Sequence, residues 1–156
     1  MGQQQLILLV LATVIVGVAT VVGIDAFAEN ADRSNADAMM QDAVAIASDV
    51  QAWAQKPEAF GGMADGESLG DAAFTQLGYE TDGSGTYANT NGDFTLAGNS
   101  GSPIITGTSS NGEQVVQVIV CGLDKADIKG AVTKMSNATA ESAPTCSSGG
   151  NQGGGN

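Results

Sequence analysis

The sequence predicts an α+β fold in which one long N-terminal helix packs on a small antiparallel β-sheet. No charged residue occurs before Asp25, although the chain holds seventeen acidic and five basic residues. No proline occurs before Pro57, so nothing forces a helix to stop earlier. Two Asn-Gly pairs in the second half are flanked by β-type sequence, which is the pattern of tight hairpin turns. With 156 residues the chain is long enough for one compact domain and one projecting helix.

The first element is an apolar helix in residues 1–24. The nineteen residues from Leu6 to Ile24 are drawn only from Leu, Ile, Val, Ala, Gly and Thr. As a helix they span ~28 Å, close to the hydrocarbon thickness of a bilayer. Their Val and Ile content favours a strand in water, but a lone segment in lipid must pair its own backbone groups, which favours a helix. We therefore expect a helix that can lie in a membrane.

A cleavable secretory signal is the alternative interpretation of this segment. No Lys or Arg precedes the apolar run. A chain inserted with its N-terminus inside usually carries positive charge there. We expect instead that a basic leader has already been removed from the chain.

The helix is expected to continue through an amphipathic half, residues 25–56, and to end at Pro57 and Gly61-Gly62. Gly17 and Gly23 oppose this, because each costs ~1 kcal/mol relative to Ala in a helix interior. Unwinding in an apolar environment would cost more, so an unbroken helix to about Gln55 is predicted. A stripe at spacings of three and four predicts packing on a β-sheet rather than in a coiled coil; it comprises Ala36, Met39, Ala43, Ile46, Val50 and Trp53.

Residues 57–146 are predicted to form a globular, β-rich head domain. A short apolar stretch holding Phe74 and Leu77 fits either a brief helix or a strand. Turns at Asn91-Gly92 and Asn111-Gly112 predict two hairpins. The last strand carries apolar side chains on both faces and is expected to be central in the sheet. The four predicted strands cover residues 85–89, 93–97, 103–108 and 113–121.

The segment from Asp124 to Met135 is predicted to be a helix. Ile128, Val132 and Met135 recur at helical spacing, Asp124 is a candidate N-cap, and Lys134 lies near the expected C-terminal end. Gly130 opposes this prediction. Residues 147–156 form a Gly-rich C-terminal tail with no apolar group to bury, and we expect it to be held by a neighbouring subunit.

The two cysteines, Cys121 and Cys146, are expected to form a disulfide. They are the only cysteines, and the chain has no histidine to complete a tetrahedral zinc site. Two free thiols or a metal-binding pair are the alternatives. The Gly- and Ser-rich composition of this domain favours a covalent crosslink formed in an oxidising compartment. It would close a loop of about 26 residues.

The composition argues against several classes of function. A net charge of −12, with five dispersed cations, disfavours direct binding of nucleic acid. Without histidine or a free thiol the usual bases and nucleophiles are missing, so no enzyme, catalytic residue or cofactor is predicted. The acidic pairs Asp65 with Glu67 and Asp82 with Asp93 are interpreted as solvated loop residues.

Two weaker motifs remain. The oxygen-rich run from Asp82 to Asp93 superficially suits calcium but lacks EF-hand spacing, and the predicted hairpin turn explains it without a metal. Asn137-Ala138-Thr139 matches a glycosylation sequon, a short pattern of low specificity, so Asn137 is a candidate for glycosylation only.

A charge-free N-terminal helix, an amphipathic continuation, a four-stranded antiparallel sheet and a C-terminal loop closed by two cysteines together resemble the type IV pilin family. The start, Met1-Gly-Gln-Gln-Gln-Leu-Ile-Leu-Leu-Val10, is similar to a processed pilin with a methylated N-terminal amine. The resemblance implies a lollipop-shaped structural subunit of an extracellular filament, or fimbrium, used in adhesion, motility or surface attachment. It also implies that Cys121 and Cys146 bracket the exposed variable loop.

The same resemblance implies partners and a place in the cell. These are a prepilin peptidase, ATPase-driven pilus assembly machinery and the inner membrane before assembly. Two positions depart from the bacterial pattern. Gln5 stands where Glu is usual, so it cannot neutralise a neighbour's N-terminal amine. Val22 lies near a usual helix-kinking proline, so archaeal pilins with uninterrupted helices are also possible relatives.

Assembly is expected to occur through the N-terminal helix, because identical helices can cover each other's apolar surface outside lipid. Small side chains allow close approach, and one repeated heterologous contact gives a helical polymer. The rivals are a type II secretion pseudopilin and a single-span, membrane-anchored extracytoplasmic protein that binds a ligand or calcium. The residues expected in the filament core are Met1, Gln5, Leu6, Leu9, Ala12, Val16, Gly17, Ala19 and Gly23.

Overall fold

The computed structural model describes residues 2–99, 101–135 and 141–146. The chain divides into two compact units, Met1–Ser34 and Asn35–Asn156. One helix, α1, runs over Gly2–Gln55 and contributes to both units. The predicted glycosylation site Asn137 and the predicted tail, residues 147–156, lie outside the described residues.

The first unit consists of the N-terminal part of α1. The prediction of an unbroken helix is confirmed, because every residue from Gly2 to Gln55 is helical, Gly17 and Gly23 included. The hydroxyl groups of Thr13 and Thr20 donate to the carbonyl oxygens of Val10 and Val16, at 2.9 and 2.7 Å. These bonds pair the two polar side chains of the apolar segment within the helix itself.

The second unit begins inside α1 and contains a five-stranded antiparallel sheet. Its strands follow each other in space as they do in sequence, so each hairpin joins neighbours. The predicted α+β fold, a long helix packed on an antiparallel sheet, is confirmed, with five strands instead of four. They are β1 Tyr87–Ala88, β2 Asp93–Asn99, β3 Ser102–Thr108, β4 Val115–Val120 and β5 Ile128–Lys134.

The predicted helix from Asp124 to Met135 is wrong. A single 3-10 turn, Lys125–Asp127, is followed by β5, which pairs along β4. Ile128 and Val132 are four residues apart, and four is an even number, so the same spacing also places them on one face of a strand. The open edge of β4 and the glycine at position 130 decide in favour of the strand.

The strand expected to be central, β4, is next to the sheet edge, and β3 occupies the centre. One face of β4 is fully buried, whereas on the other face Val115 and Gln117 are only half-buried. Val116, Val118 and Val120 have no exposed surface, and Ile119 on the opposite face is 6% exposed. The strand lies between β3 and β5, so its backbone is paired on both sides.

Only one of the two Asn-Gly turns uses a left-handed glycine. Gly112 has φ of 70°, as predicted. At the other turn the side-chain oxygen of Asn89 accepts bonds from the backbone N–H groups of Asn91 and Gly92, at 2.8 and 3.1 Å. Gly92 is needed for space, because a Cβ there would lie 2.5 Å from the carbonyl oxygen of Thr108.

The core of the second unit lies between α1 and the sheet. All six residues of the predicted stripe on α1 are at most 2% exposed. Met39, Ala43 and Ile46 pack with apolar side chains of the strands and with Phe74, whereas Val50 and Trp53 form a second cluster with Ala72. The undecided segment around Phe74 is a short helix, α2, Phe74–Leu77. The sheet residues in the first cluster are Phe94, Ile105, Val116, Val118 and Val120.

The predicted disulfide is confirmed. Cys121 and Cys146 are bonded, with their Cα atoms 5.5 Å apart. The preceding segment also contacts β5, because the backbone N–H of Glu141 donates to the carbonyl oxygen of Val132 at 3.0 Å. The disulfide therefore fixes the C-terminal end of the described chain beside the last two strands.

Candidate functional site

The dominant unpartnered feature is the surface of α1 from Leu6 to Ile24, called here the N-terminal apolar surface. Its thirteen large apolar side chains are each 54–66% exposed. Six of them are consecutive, so they point to all sides of the helix rather than to one face. A helix that is apolar all round needs cover over its whole circumference. The thirteen are Leu6, Ile7, Leu8, Leu9, Val10, Leu11, Val14, Ile15, Val16, Val18, Val21, Val22 and Ile24.

This stretch of α1 is long and apolar enough to cross a membrane. Its most apolar window has a mean hydropathy of 2.9, and none of that window is buried within the protein. The core helix of a soluble domain would be mostly buried, so that explanation does not fit. The N-terminal apolar helix can therefore serve as a membrane anchor.

Seven of the nine residues predicted for the filament core, all except Met1 and Gln5, lie on this surface. Gln5, Leu6, Leu9, Ala12, Val16, Gly17 and Ala19 are exposed, Gly23 is half-buried, and Met1 lies outside the described residues. A Cβ added at Gly17 or Gly23 would meet nothing within 4 Å. These glycines therefore leave room at the helix surface that no part of the described chain uses.

A regular seam runs along this surface, a pattern that the sequence interpretation did not identify. Residues 5, 9, 12, 16, 19 and 23 follow at alternating spacings of four and three, which places them on one side of a helix. Three of the six, Ala12, Ala19 and Gly23, have small side chains. Small residues at such spacing let a second helix approach closely. We call these six residues the small-residue seam.

Beyond the apolar stretch α1 carries its first charges. Arg33 forms an ion pair with Glu29, one helical turn away, at 2.5 Å. Phe27 lies between Asp25 and Glu29 in the sequence and is 79% exposed. Exposed apolar surface therefore continues past Asp25, beyond the N-terminal apolar surface, on one side of the helix.

A groove in the second unit was also missed from the sequence. It lies between α1 and the β5 region and has a volume of about 650 Å³. We call it the α1–β5 groove. Position 44 gave the only signal in advance, since Val44 is apolar and lies off the packing stripe. The sequence could not predict this groove, because it predicted a helix for residues 124–135, which line one side of it. Its lining residues are Met40, Val44, Ser48, Lys125, Ala126, Ile128 and Gly130.

The acidic loop residues bind their own backbone. The Asp82 carboxylate accepts from the backbone N–H groups of Thr86 and Ser84, both at 2.9 Å, and these bonds lower the pKa of Asp82. The Glu67 carboxylate accepts from the backbone N–H of Ala64 at 2.9 Å. Within residues 2–99, 101–135 and 141–146, no three His, Cys, Asp or Glu side chains are grouped to hold a metal ion. These carboxylates stabilise turns.

Comparison with known proteins adds no relative: the chain matches no protein-family model, no curated protein and no solved structure. Its fold combines a long N-terminal apolar helix, an antiparallel sheet and a disulfide. These features are compatible with a type IV pilin-like architecture and with a single-span membrane-anchored protein.

Proposed function

We propose that this chain is the structural subunit of an extracellular, type IV pilus-like filament that polymerises through its N-terminal helix. The observation that carries the proposal is the N-terminal apolar surface, which is exposed on all sides of an unbroken helix. A single membrane span explains the exposed side chains. It does not explain why the same helix continues without a break into the packing stripe of the second unit.

The N-terminal apolar surface does not remain exposed to water in the functional state. Burying one Val, Leu or Ile side chain from water contributes about 1.5–3 kcal/mol. For the thirteen side chains of the surface this amounts to on the order of 20 kcal/mol or more. The segment must therefore be in lipid or against other copies of the chain, and it passes from the first environment to the second during assembly.

Leaving lipid brings no hydrophobic gain, because lipid tails are as apolar as leucine. Close packing must then hold the filament together. The small-residue seam provides it, because Ala12, Ala19 and Gly23 let helix backbones approach closely. Extraction from the membrane is the work of assembly machinery, after a prepilin peptidase has processed the N-terminus.

Gln5 lies at the N-terminal end of the same seam and is exposed. Its carboxamide both donates and accepts hydrogen bonds but carries no charge. In the filament it binds polar backbone or terminal groups of a neighbouring copy without neutralising an amine. Subunit registration therefore depends more on packing than on an ion pair.

The disulfide of the second unit is consistent with an extracellular location. A disulfide persists in oxidising compartments, including the cell surface, and Cys121 is bonded to Cys146. The net charge of −12 keeps the exposed domains soluble once they surround the fibre. We propose storage in the inner membrane before assembly and an extracellular location afterwards.

Electron microscopy of material sheared from cells that produce the full chain tests this function. Long fibres composed of this chain alone are expected. Ala19→Leu should abolish them while the chain still enters the membrane fraction, because the substitution keeps the segment apolar but blocks close approach at the seam. Short periplasmic structures would indicate a secretion pseudopilus and would contradict the proposal.

A second candidate is a single-span, membrane-anchored extracytoplasmic protein, which the membrane-spanning length of the apolar segment favours. That function predicts a chain that stays in the membrane fraction and is monomeric in detergent. The same shearing experiment separates the two, because an anchored monomer leaves no fibre in the sheared material.

A further inference from the structure

The α1–β5 groove is an open apolar surface on the second unit. Met40, Val44 and Ile128 supply its apolar lining, and Val44 is 39% exposed. Gly130 contributes no side chain to it. A Cβ at that position would lie 2.8 Å from the sulfur of Met40, so the Met40 side chain would have to shift within the groove. Lys125 is an exposed cation at the same groove.

The segment of α1 around Phe27 has two unlike sides. At 100° per residue, Ile24 and Ala31 lie on the same side of the helix as Phe27. The acidic residues Asp25, Glu29 and Asp32 lie on the opposite side. With 79% of its surface exposed, Phe27 is the centre of an apolar face that the described chain leaves open. We call residues 24–34 the Phe27 segment.

We propose that the Phe27 segment of one copy docks in the α1–β5 groove of another copy. This inference rests on the proposed filament, since it names the contact between neighbouring subunits just beyond the apolar core. Each chain carries one Phe27 segment and one groove, so the contact is heterologous. Repeated without closure, it extends along a fibre.

Three features of the surfaces favour this occupant over another ligand. The Phe27 segment directly continues the N-terminal apolar surface, which other copies cover in the filament. An aromatic ring packs favourably on the thioether of Met40. Charge is the third feature. Copies with a net charge of −12 repel each other. Lys125, which makes no ion pair within the described part of the chain, lowers this repulsion near the groove for an incoming segment whose acidic residues lie on its far side.

Disulfide crosslinking of assembled filaments tests the contact. Ser48 lines the groove and is exposed, so the full chain is prepared with Phe27→Cys and Ser48→Cys together. After mild oxidation, non-reducing electrophoresis should show a ladder of covalent multimers that disappears on reduction. The control combines Phe27→Cys with Thr95→Cys, an exposed position on β2, and should give no ladder.

Other outcomes overturn the inference in distinguishable ways. Normal filaments without a ladder would contradict the contact and leave the filament function standing. A ladder with Phe60→Cys and Ser48→Cys in place of the Phe27 pair would assign the groove to Phe60, which is 81% exposed. Absence of filaments from the unsubstituted chain would contradict the proposed function itself, and the contact with it.

A charge reversal gives an independent readout. Lys125→Glu places an acid in the groove and should lower filament yield, with partial recovery at high salt because salt screens the repulsion. Lys56→Glu is the matched control, since Lys56 is exposed and lies outside the groove. An equal loss of yield in both variants would show that only net charge matters and would contradict the contact.

Discussion

The side chain of Gln51 on α1 holds the backbone of Gly122, just after the disulfide-bonded Cys121. Its amide nitrogen donates to the carbonyl oxygen of Gly122 at 2.8 Å and to that of Asp124 at 3.0 Å. Gln51 is only 7% exposed. One buried carboxamide thus ties the packing helix to the loop that connects β4 with β5.

Replacing Gln51 by Met should destabilise the protein by about 1–3 kcal/mol, because two partly buried carbonyl groups lose their donor. Met keeps a side chain of similar length, which limits the packing change. Urea unfolding of the full chain in detergent measures the effect. Gln41→Met, at an exposed position of α1, is the control and should have little effect. Equal effects of the two substitutions would show that the bonds to Gly122 and Asp124 contribute nothing.

Removing the disulfide should lower the free energy of unfolding of the second unit by about 3–4 kcal/mol, because the unfolded chain regains the entropy of a loop of about 26 residues. The paired substitution Cys121→Ser with Cys146→Ser tests this in urea, with circular dichroism as the readout. The double variant should be insensitive to reductant, whereas the unsubstituted chain should weaken when reduced. An unchanged urea midpoint on reduction would contradict the prediction.

Gly92→Ala should destabilise the protein by about 1–3 kcal/mol through overpacking. The new Cβ would meet the carbonyl oxygen of Thr108 at 2.5 Å and the sulfur of Met39 at 2.8 Å. The thioether can move, but the backbone oxygen belongs to β3 and cannot. Gly83→Ala is the control, because a Cβ there meets nothing within 4 Å. Thermal unfolding of both variants should separate them, and equal melting temperatures would be inconsistent with this packing.

Tyr79 should ionise only at unusually high pH. Burial, and then the hydrogen bond that its hydroxyl donates to Asp49 at 2.6 Å, raise the pKa of Tyr79 well above its ordinary value of 10.0. With Tyr87→Phe as background, tyrosinate absorbance reports Tyr79 alone. Asp49→Asn should lower this pKa only in part, because burial is the larger cause. Asp37→Asn, at an exposed position that does not contribute to the shift, should leave it unchanged.

The raised pKa of Tyr79 also makes the free energy of unfolding depend on pH. The folded protein keeps this proton at pH values where the unfolded chain has lost it, so stability is full below pH 10.0 and falls as pH rises above it. Tyr79→Phe should flatten this fall. Urea unfolding at several alkaline pH values measures it, and identical slopes for the two proteins would contradict the assignment.

The sequence predicted α1 well because its signals were local and agreed with each other. An uninterrupted apolar run, the lack of proline before Pro57 and a stripe at spacings of three and four all required one helix. The β4 strand was also predicted from its sequence, although its apolar residues on both faces indicated more burial than occurs, since Val115 and Gln117 are only half-buried.

The failures came where two structures shared one pattern. Ile128 and Val132 satisfy helical and strand spacing alike, and the open edge of β4, together with Gly130, decides between them. At the first hairpin the turn depends on the Asn89 side chain, and Gly92 is required by the approach of β3, which no local pattern reveals. The α1–β5 groove could not be predicted either, since it lies beside a segment, Ile128–Lys134, that forms a strand instead of the expected helix.

Helical reconstruction by cryo-electron microscopy of purified, full-length filaments tests the proposed assembly most directly. It should show residues 2–24 of every subunit as helix, buried in the fibre centre against several other copies. The small-residue seam, from Gln5 to Gly23, should lie at the closest helix crossings. If the purified chain instead forms no fibre, and residues 2–24 are covered only by detergent or lipid, the chain is a solitary membrane-anchored protein and the filament assignment is wrong.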